Sequence, residues 1–319
     1  MAEIIMKRNM SNSSKALIVG IQGFIGHALG SWLEAQGVTV YGIDVRVPAA
    51  STRVKAMDVQ DGNALKRVLE QWAPDVIFQL AGNAGLTDEA LLWNSHVTAT
   101  YTLLCSVKAA CPRARIVVLG SAAEYGSHAG AMSRIAEDQL VLPDTAYGKV
   151  KLAQIQLAQK LGLELGLDVL CVRLFNTLGP GQGPHLVGGA MINRLYEVLA
   201  RKETVFEVYD PDSERDYLDV RDVARLLGLM AREAESNCQW SPMQLASGEA
   251  TRVLDLAALL LQVAGVSNLV ELKSIHAHKP TRYVGQPVTL QRLLNDRPIR
   301  EISVKDSLRD MWQWKIEQV

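Results

Sequence analysis

A tyrosine and a lysine stand four residues apart, at Tyr147 and Lys151, in the segment AYGKVKLAQIQLAQKLG. Helical spacing puts positions i and i+4 on one face, so the phenol and the ammonium are expected to be neighbours. A phenol with an ordinary pKa near ~10 transfers protons poorly at neutral pH, and a nearby positive charge lowers that pKa. The pair therefore predicts acid–base chemistry. The structural alternative is a surface tyrosine beside a solvated lysine.

A serine that ends an apolar run is the third candidate for chemistry. Ser121 closes RIVVLGS and opens the loop that continues as AAEYG. Its hydroxyl is expected to bond the same substrate oxygen as Tyr147 and so to fix the orientation of the substrate. Glu124, three residues later, is interpreted as a wall of the site or a supporting group.

Three glycines follow the first apolar run, in the pattern Gly20-Ile-Gln-Gly23-Phe-Ile-Gly26, and a helix is predicted directly after them. Such glycines allow a tight turn and let the backbone approach a pyrophosphate at the positive helix N-terminus. A plain glycine-rich turn is the alternative for the pattern alone. Its position after the first strand, with Asp44 at the end of the second, predicts a dinucleotide site.

The acidic residues after the next two strands indicate which dinucleotide binds. A carboxylate at Asp44 accepts the ribose hydroxyls and repels a 2′-phosphate, which favours NAD(H), while Arg46 leaves NADP(H) possible. Asp58 is expected either to meet the adenine or to cap a helix. Lys151 has a second possible role, a bond to the nicotinamide ribose, and an oxidised nicotinamide would also favour the Tyr147 phenolate. The further cofactor contacts expected are Phe24, Ile25, Val59, Leu80 and Ala81.

Alternating strands and helices must position these groups. β-rich runs at 16–20, 38–44, 75–82, 115–121 and 168–175 alternate with helical stretches at 24–36, 61–72, about 87–111 and 146–165. Near-continuous apolar strands separated by helices predict a parallel sheet covered on both faces, the doubly wound α/β class.

The pattern changes after residue 176, where NTLGPGQGPHLVGG predicts a Gly/Pro-rich loop. Helices are then expected at 190–202, 219–234, 251–264 and 300–315, with strands at TVFEVY and MQLAS. We expect a leader at 1–14, flexible and polar, a dinucleotide-binding domain at 15–178, and a mainly substrate-binding lobe at 179–319, some of whose elements return to the sheet.

Composition limits the partners. The chain has 319 residues, and its 33 basic and 34 acidic side chains balance, so no overall field favours a nucleic acid or a membrane surface. The four cysteines lack metal-ligand spacing and are interpreted as reduced thiols, and no metal site is expected. Without a signal peptide or an apolar segment of membrane-spanning length, the sequence predicts a cytoplasmic protein.

Taken in order, GIQGFIG, SAAEYG, the Tyr147/Lys151 pair, RLFNTLGPG and RDYLDVRD resemble the extended short-chain dehydrogenase/reductase family that acts on nucleotide sugars. The similarity runs from Ala16 to about Trp312. It implies hydride transfer at a sugar carbon, with Tyr147 as the acid/base, Ser121 as its partner and Lys151 as the group that tunes it. By the same resemblance, Asn176 and Arg215 hold the substrate diphosphate, although pairing of Arg215 with Asp212 or Asp216 is the alternative.

The loop after Ser121 indicates which reaction of that family is catalysed. Dehydratases of the family place acidic residues directly after the catalytic Ser/Thr, and this chain has Ala122 and Ala123 there, so dehydration is not expected. The Glu-Tyr-Gly ending is similar to GDP-4-keto-6-deoxymannose reductases, which favours reduction of a 4-keto-6-deoxy sugar. A nucleotide-sugar 4-epimerase, a reaction on a small ketone outside the sugars, and a non-catalytic dinucleotide sensor stay open.

Three departures from the family pattern concern the site. His96 stands where the family has asparagine and is expected either to support a water or to cap local backbone. Val150 replaces a small hydroxyl residue, and the segment ending at Gln286 differs where base and ribose are held, which leaves the nucleotide open. Ala122 and His185 are expected to contact the substrate. The resemblance also implies a homodimer made by the helices that carry His96 and Tyr147.

Overall fold

Fourteen strands and ten α-helices are formed by the residues that this computed structural model describes, which are 14–47, 51–82, 85–237, 239–295 and 297–318. The predicted leader, residues 1–14, lies outside the described residues except for Ser14. Cys238 also lies outside them. The strands are β1 (Lys15–Val19), β2 (Thr39–Asp44), β3 (Val54–Ala56), β4 (Val76–Gln79), β5 (Arg115–Ser121), β6 (Asp168–Leu174), β7 (Asn176–Leu178), β8 (Val205–Tyr209), β9 (Glu214–Arg215), β10 (Tyr217–Asp219), β11 (Met243–Leu245), β12 (Thr251–Arg252), β13 (Glu271–Ile275) and β14 (Arg282–Tyr283). The helices are α1 (Phe24–Ala35), α2 (Gly62–Trp72), α3 (Glu89–Trp93), α4 (Ala99–Ala110), α5 (Ala146–Leu165), α6 (Val187–Ala200), α7 (Val220–Glu233), α8 (Val253–Val263), α9 (Val288–Leu294) and α10 (Val304–Glu317).

Seven of the strands form one sheet in the order β11-β6-β5-β4-β1-β2-β3. The pairings among β1 to β5 are parallel, with Val19 opposite both Ile43 and Gln79. Parallel strands bring their carboxyl ends to one edge of a sheet, so the loops after β1, β2, β4 and β5 share that edge. The predicted doubly wound parallel sheet is confirmed, and β5 and α5 occupy the predicted residues.

Helices cover both faces of this sheet. Alternate strand residues such as Leu17, Ile77 and Val118 pack in one core with residues of α2, α4 and α5. On the other face, Ile18 lies beside Gly30 of α1, and Gly228 of α7 leaves room for the ring of Trp32. The strands are apolar on both sides because both sides are buried, as the near-continuous apolar runs predict.

The chain divides into two compact units. Unit 1 holds Thr145–Arg173, Ala224–Met243 and the described residues up to Glu124, and unit 2 holds Tyr125–Asp144, Leu174–Val223 and the described residues from Gln244 onward. Each unit therefore draws segments from both sides of residue 178.

Unit 2 has small sheets that the sequence pattern did not predict. β7 lies in the predicted Gly/Pro loop and pairs with β10, while β9 lies in the predicted charged loop and pairs with β12 and β14. These strands have two or three residues each, which is too short for a pattern of alternating apolar residues. They exist because they pair with strands distant in the sequence. The core of unit 2 is built mainly from α6, β8, α8 and α10.

Among the described residues, none of the helices has the combined length and apolar character needed to cross a membrane. The same residues contain no cluster of three or more histidine, cysteine or acidic side chains suited to a metal ion.

Candidate active site

Ser121 lies at the carboxyl end of β5, where the chain enters a 3-10 turn at Ala122–Tyr125. Its hydroxyl accepts a hydrogen bond from the Ala123 N–H at 3.2 Å, and its own backbone N–H donates to Glu124 Oε1 at 2.7 Å. Ala122, predicted to contact the substrate, is buried at the start of this turn. The turn therefore fixes the position of the serine through side chains of its own loop.

Glu124 turns inward from this loop. Its carboxylate is fully buried, and Oε2 pairs with Nε of Arg173 on β6 at 2.7 Å. Removing one member of a buried ion pair leaves an uncompensated charge, which is strongly destabilising. Glu124 is thus a supporting group for Ser121, in agreement with its interpretation from the sequence.

Tyr147 and Lys151 lie in the first two turns of α5, which begins where Thr145 Oγ1 accepts the Gly148 N–H at 3.0 Å. The tyrosine is half-buried, and its ring packs beside Val150, Leu92 and Val97. The lysine is buried, so neither residue is the solvated surface group of the structural alternative. The cap and the regular helix place both side chains on one face, as the spacing predicts.

Lys151 is held by two acceptors. Its Nζ donates to the Leu119 carbonyl and to Gln154 Oε1, the latter at 2.6 Å. The Gln154 amide donates in turn to Thr100 Oγ1 at 2.9 Å. Burial lowers the pKa of Lys151 to about 8, and the charge of Glu124 opposes the change.

The pKa of Tyr147 moves in the direction opposite to the sequence prediction. Burial raises the pKa of Tyr147 to about 12, a hydrogen bond with Ser121 opposes the rise, and the charge of Glu124 adds to it. In the chain without a bound cofactor, the Lys151 ammonium does not offset this rise. A phenol in this environment holds its proton at neutral pH, and the raised pKa makes it a weaker acid than an ordinary tyrosine.

His96 lies within a π-helical turn at Asn94–Thr98, between α3 and α4. The imidazole is buried, and its ring stands edge-on to Tyr147 with centroids 5.8 Å apart. A methyl group on Gly82 would overlap this ring, so the imidazole lies directly against the backbone after β4. Neither ring nitrogen has a partner among the described residues, so the predicted backbone cap is not found there. Burial, followed by the charge of Lys151, lowers the pKa of His96 to about 3, and the ring is neutral at physiological pH.

The glycine loop after β1 has the shape that a dinucleotide needs. Gly20 has a φ of +91°, and a Cβ there would lie 2.8 Å from the Ala81 backbone N, while a Cβ on Gly26 would overlap the Gly20 carbonyl. The N-terminus of α1 begins at Gly23 with no side-chain cap and no acidic residue in its first turn. Exposed N–H groups and a positive helix end fit a pyrophosphate.

Two carboxylates are predicted to contact the cofactor. Asp44 lies beside the glycine loop, and Asp58 lies after the next strand, β3. Asp44 ends β2, and its oxygens accept the Gln22 N–H at 3.0 Å and the Arg46 N–H at 3.2 Å. Asp58 follows β3 and accepts the Gln60 N–H at 2.9 Å. The N-cap of α2 is Asp61, so the capping alternative for Asp58 is wrong.

The remaining predicted cofactor contacts occupy the same edge of the sheet. Phe24 and Ile25 form the first turn of α1 and are half-buried. Val59 is buried after β3, and Leu80 and Ala81 follow β4, with the Leu80 N–H donating to the Val19 carbonyl at 3.0 Å. All five therefore adjoin strand ends or the loop predicted to bind the cofactor.

Arg215 of unit 2 has no carboxylate partner among the described residues. Its Nη1 donates to the carbonyls of Glu214 and Thr281, each at 2.9 Å, and its guanidinium lies 5.2 Å from the ring centroid of Tyr283. Burial lowers its pKa. Asp216 instead accepts N–H and O–H groups of Ser247, Gly248 and Gly285, and Asp212 approaches Arg252 and His276. The predicted alternative of an Arg215–aspartate pair is therefore wrong.

The two other predicted substrate residues also lie in unit 2. Asn176 begins β7, and its Nδ2 donates to the Asp216 carbonyl at 3.2 Å. His185 is exposed in the loop before α6, where its ring lies against Gly183.

Three residues around the catalytic groups were not predicted. Arg173 pairs with Glu124, and Gln154 and Thr100 continue the hydrogen bonds from Lys151. The position of Gln154, three residues after Lys151 on one helix, was a usable signal. Arg173 and Thr100 come from other elements, and no spacing links them to the site.

Known proteins resemble this chain along nearly its whole length. Residues 16–240 match the sequence model of the NAD dependent epimerase/dehydratase family. The chain is 29% identical over 310 residues to a dTDP-6-deoxy-L-talose 4-dehydrogenase (NAD(P)(+)) of Kitasatospora kifunensis, covering 94% of this chain and 95% of that one. It is 26% identical over 319 residues to a GDP-6-deoxy-D-mannose reductase of Pseudomonas aeruginosa, covering 96% and 99%.

Solved structures also resemble this chain along nearly its whole length. The structure of RMD from Pseudomonas aeruginosa complexed with NADPH has a TM-score of 0.81 and 25% identity, covering 97% of this chain and 99% of that one. The structure of MoeE5 in complex with UDP-glucuronic acid and NAD has a TM-score of 0.80 and 25% identity, covering 96% and 100%. The resemblance to the extended short-chain dehydrogenase/reductases is confirmed, and the chain belongs to the NAD dependent epimerase/dehydratase family.

Proposed function

We propose that this protein reduces the carbonyl of a 4-keto-6-deoxy sugar carried on a nucleoside diphosphate. The observation that carries the proposal is the arrangement of three groups in unit 1: Ser121 ends β5, and Tyr147 lies on α5 one helical turn before the buried Lys151. Reduction of a ketone needs a proton for the oxygen. The Tyr147 phenol holds one at neutral pH, and the nearby Lys151 ammonium stabilises the phenolate that forms when this proton leaves.

Three groups of this chain share the reaction. Tyr147 gives its proton to the carbonyl oxygen, and Ser121 donates a hydrogen bond that holds this oxygen in place. A bound NADH or NADPH supplies the hydride that the carbonyl carbon accepts. The resulting phenolate is balanced by the nearby Lys151 ammonium until solvent restores its proton.

The loop geometry argues against dehydration. Ala122 and Ala123 carry no acid, and the nearest carboxylate, Glu124, is fully buried and already pairs with Arg173. An ionised carboxylate whose two oxygens accept from the Ser121 N–H and from Arg173 carries no proton to give to a leaving hydroxyl. Reduction therefore fits this loop better.

Substrate binding by Arg215 is part of the proposal. A half-buried guanidinium without a carboxylate partner among the described residues retains donors and charge for an anion. Planar guanidinium groups bind phosphate strongly through charge-assisted hydrogen bonds. We assign Arg215 and Asn176 to the substrate diphosphate, and His185 and Ala122 to further substrate contacts.

The cofactor is proposed to be NAD(H), with NADP(H) as a second possibility. Asp44 keeps a carboxylate at the end of β2, where a 2′-phosphate would be repelled. Arg46 stands two residues later, and the Pseudomonas RMD structure is a complex with NADPH. Comparing kcat/KM for the two cofactors measures this preference directly.

A homodimer is proposed as the assembly. Apolar side chains on the helices that carry the catalytic region are exposed, namely Leu91, Trp93, Tyr101 and Leu163. Exposed apolar side chains grouped on neighbouring helices favour a protein–protein contact. Analytical ultracentrifugation tests this assembly, and a monomer at micromolar concentration would contradict it.

The test of the reaction is a substrate panel. The protein is incubated with NADH or NADPH and GDP-, UDP- or dTDP-4-keto-6-deoxy sugars, and cofactor oxidation is followed. We expect stoichiometric oxidation with at least one sugar. A 4-epimerase would interconvert C4 epimers without net oxidation, and a non-catalytic sensor would bind cofactor and oxidise none. Either result would overturn the proposal.

A further inference from the structure

Gln154 has a buried side-chain amide whose oxygen and nitrogen both make hydrogen bonds. It is 0% exposed, and its Oε1 lies 2.6 Å from Nζ of Lys151, while its Nε2 donates to Thr100 Oγ1 at 2.9 Å. Thr100 is itself 0% exposed, on α4. A buried polar group without partners is unfavourable, so the hydrogen bonds from Lys151 through Gln154 to Thr100 have one defined arrangement.

The hydrogen bonds that join Lys151, Gln154 and Thr100 fix which end of the Gln154 amide faces the lysine. Because an ammonium can only donate, the carbonyl oxygen is the end turned toward Lys151, and the amide nitrogen then donates to the Thr100 hydroxyl. An ammonium has three hydrogens. Two of them go to Gln154 and to the Leu119 carbonyl, which leaves one for a further acceptor.

We propose that Gln154, anchored by Thr100, is a positioning residue that holds the Lys151 ammonium on the Tyr147 face of α5 and keeps it protonated while the enzyme works. This inference rests on the proposed function for the role of Lys151 in the reaction. It predicts that Gln154 sets the upper pH limit of activity, since loss of the ammonium removes the charge that balances the Tyr147 phenolate.

The other groups around Lys151 differ in their effect on its ammonium form. Glu124, in the turn after β5, favours the ammonium, and Arg173 pairs with that carboxylate. His96, before α4, is neutral at physiological pH and adds no positive charge. Tyr147, on the same helix, is protonated. Burial disfavours the ammonium, and together these effects bring the pKa of Lys151 to about 8.

The test uses two variants with opposite expected effects. Gln154→Met keeps the length of the side chain and removes the acceptor, whereas Gln154→Glu replaces it with a charged one. We expect the Lys151 titration midpoint to fall by about one pH unit in the first variant and to rise by about one in the second. NMR of 13C-labelled lysine, assigned with Lys151→Arg, measures the midpoint without substrate.

The alkaline edge of the kcat profile is then expected to move with the midpoint, down for Gln154→Met and up for Gln154→Glu. The matched control is Gln159→Met on the same helix, since Gln159 donates to the Asn237 and Trp240 carbonyls and not to Lys151. A purely structural role would weaken both Gln154 variants without moving the edge in opposite directions.

Thr100→Val provides a second route if Gln154→Met fails to fold, because it removes only the anchor, and a midpoint that falls by less than one unit is expected. An unchanged midpoint in the folded variants, or shifts in one direction for both Gln154 substitutions, would overturn the inference. If the midpoint moves as expected but no sugar is reduced, the proposed function fails and the positioning role stands.

Discussion

The charges of the candidate catalytic region in unit 1 and of the candidate anion site in unit 2 are arranged differently. In unit 1, Glu124 is paired with Arg173, and Lys151 is bonded to two oxygens. In unit 2, the neighbours Arg215 and Asp216 carry opposite charges and do not pair. Among the residues that the structure describes, Arg215 donates to neutral carbonyls, and Asp216 accepts from neutral N–H and O–H groups.

This difference matches two kinds of chemistry. Proton transfer needs charges of fixed position, since small changes near Tyr147 alter its pKa. Anion binding needs a positive charge that the protein has not already neutralised. Burial raises the pKa of Asp216, whose role is to hold backbone turns together. The charges of the candidate catalytic groups are thus balanced within unit 1, while Arg215, proposed to bind the substrate diphosphate, pairs with no carboxylate among the described residues.

The largest expected effect comes from removing the proton donor of unit 1. Tyr147→Phe keeps the ring and deletes the hydroxyl, so kcat is expected to fall by about 1,000-fold, within the range of general acid catalysis. Cofactor binding, measured by nicotinamide fluorescence, should change little. Retention of more than about a tenth of wild-type kcat would show that another group donates the proton.

Breaking the charge balance of unit 1 is expected to have the next largest effect. Glu124→Gln retains an acceptor for the Ser121 N–H but removes the buried carboxylate charge that faces Arg173, and the free energy of unfolding should fall by about 3 kcal/mol. Denaturant unfolding measures it. The control is Glu164→Gln, which removes an exposed partner of Lys160 and should cost less than about 0.5 kcal/mol. Equal losses in both variants would contradict the balanced-charge account.

The corresponding change in unit 2 should affect binding and leave chemistry intact. Arg215→Met is expected to raise KM for the nucleotide sugar by about 10- to 100-fold with kcat nearly unchanged. Arg252→Met is the control, because Arg252 already pairs with Asp255 at 2.8 Å. An unchanged KM for Arg215→Met would remove this residue from the substrate site.

The smallest expected effect is the acid sensitivity of unit 1. The pKa of His96 is about 3 in the folded chain against 6.5 ordinarily, so between these values the unfolded chain binds a proton that the folded chain does not. Stability therefore falls as pH decreases through this window, by about 2 kcal/mol from about pH 7 to about pH 5. His96→Asn should remove this loss, whereas the exposed His27→Asn should retain it. Equal acid sensitivity of both variants would contradict the assignment.

The sequence predicted what local patterns can encode. Apolar runs and helical spacing located β5, α5, and the positions of Ser121, Tyr147 and Lys151 at a strand end and on one helix face. The glycine loop was found because its spacing, strand and helix are contiguous in the chain. These features depend on neighbours within a few residues.

The sequence could not predict features that depend on distant partners. The short strands β7 and β9 exist through pairing with β10, β12 and β14. Arg173 joins Glu124 across 49 residues. The raised pKa of Tyr147 was also missed, because helical spacing indicates a nearby lysine and does not reveal burial or the acceptors that hold its ammonium.

The central claim, a single hydride transfer to a ketone with proton donation by Tyr147, is tested most directly by isotope transfer. NADH or NADPH deuterated on the transferred position is supplied with the 4-keto sugar, and the product is examined by mass spectrometry and NMR. The account predicts one deuterium at C4 for each cofactor oxidised, and none with Tyr147→Phe. Product without deuterium at C4, or C4 epimers formed without cofactor oxidation, would contradict it.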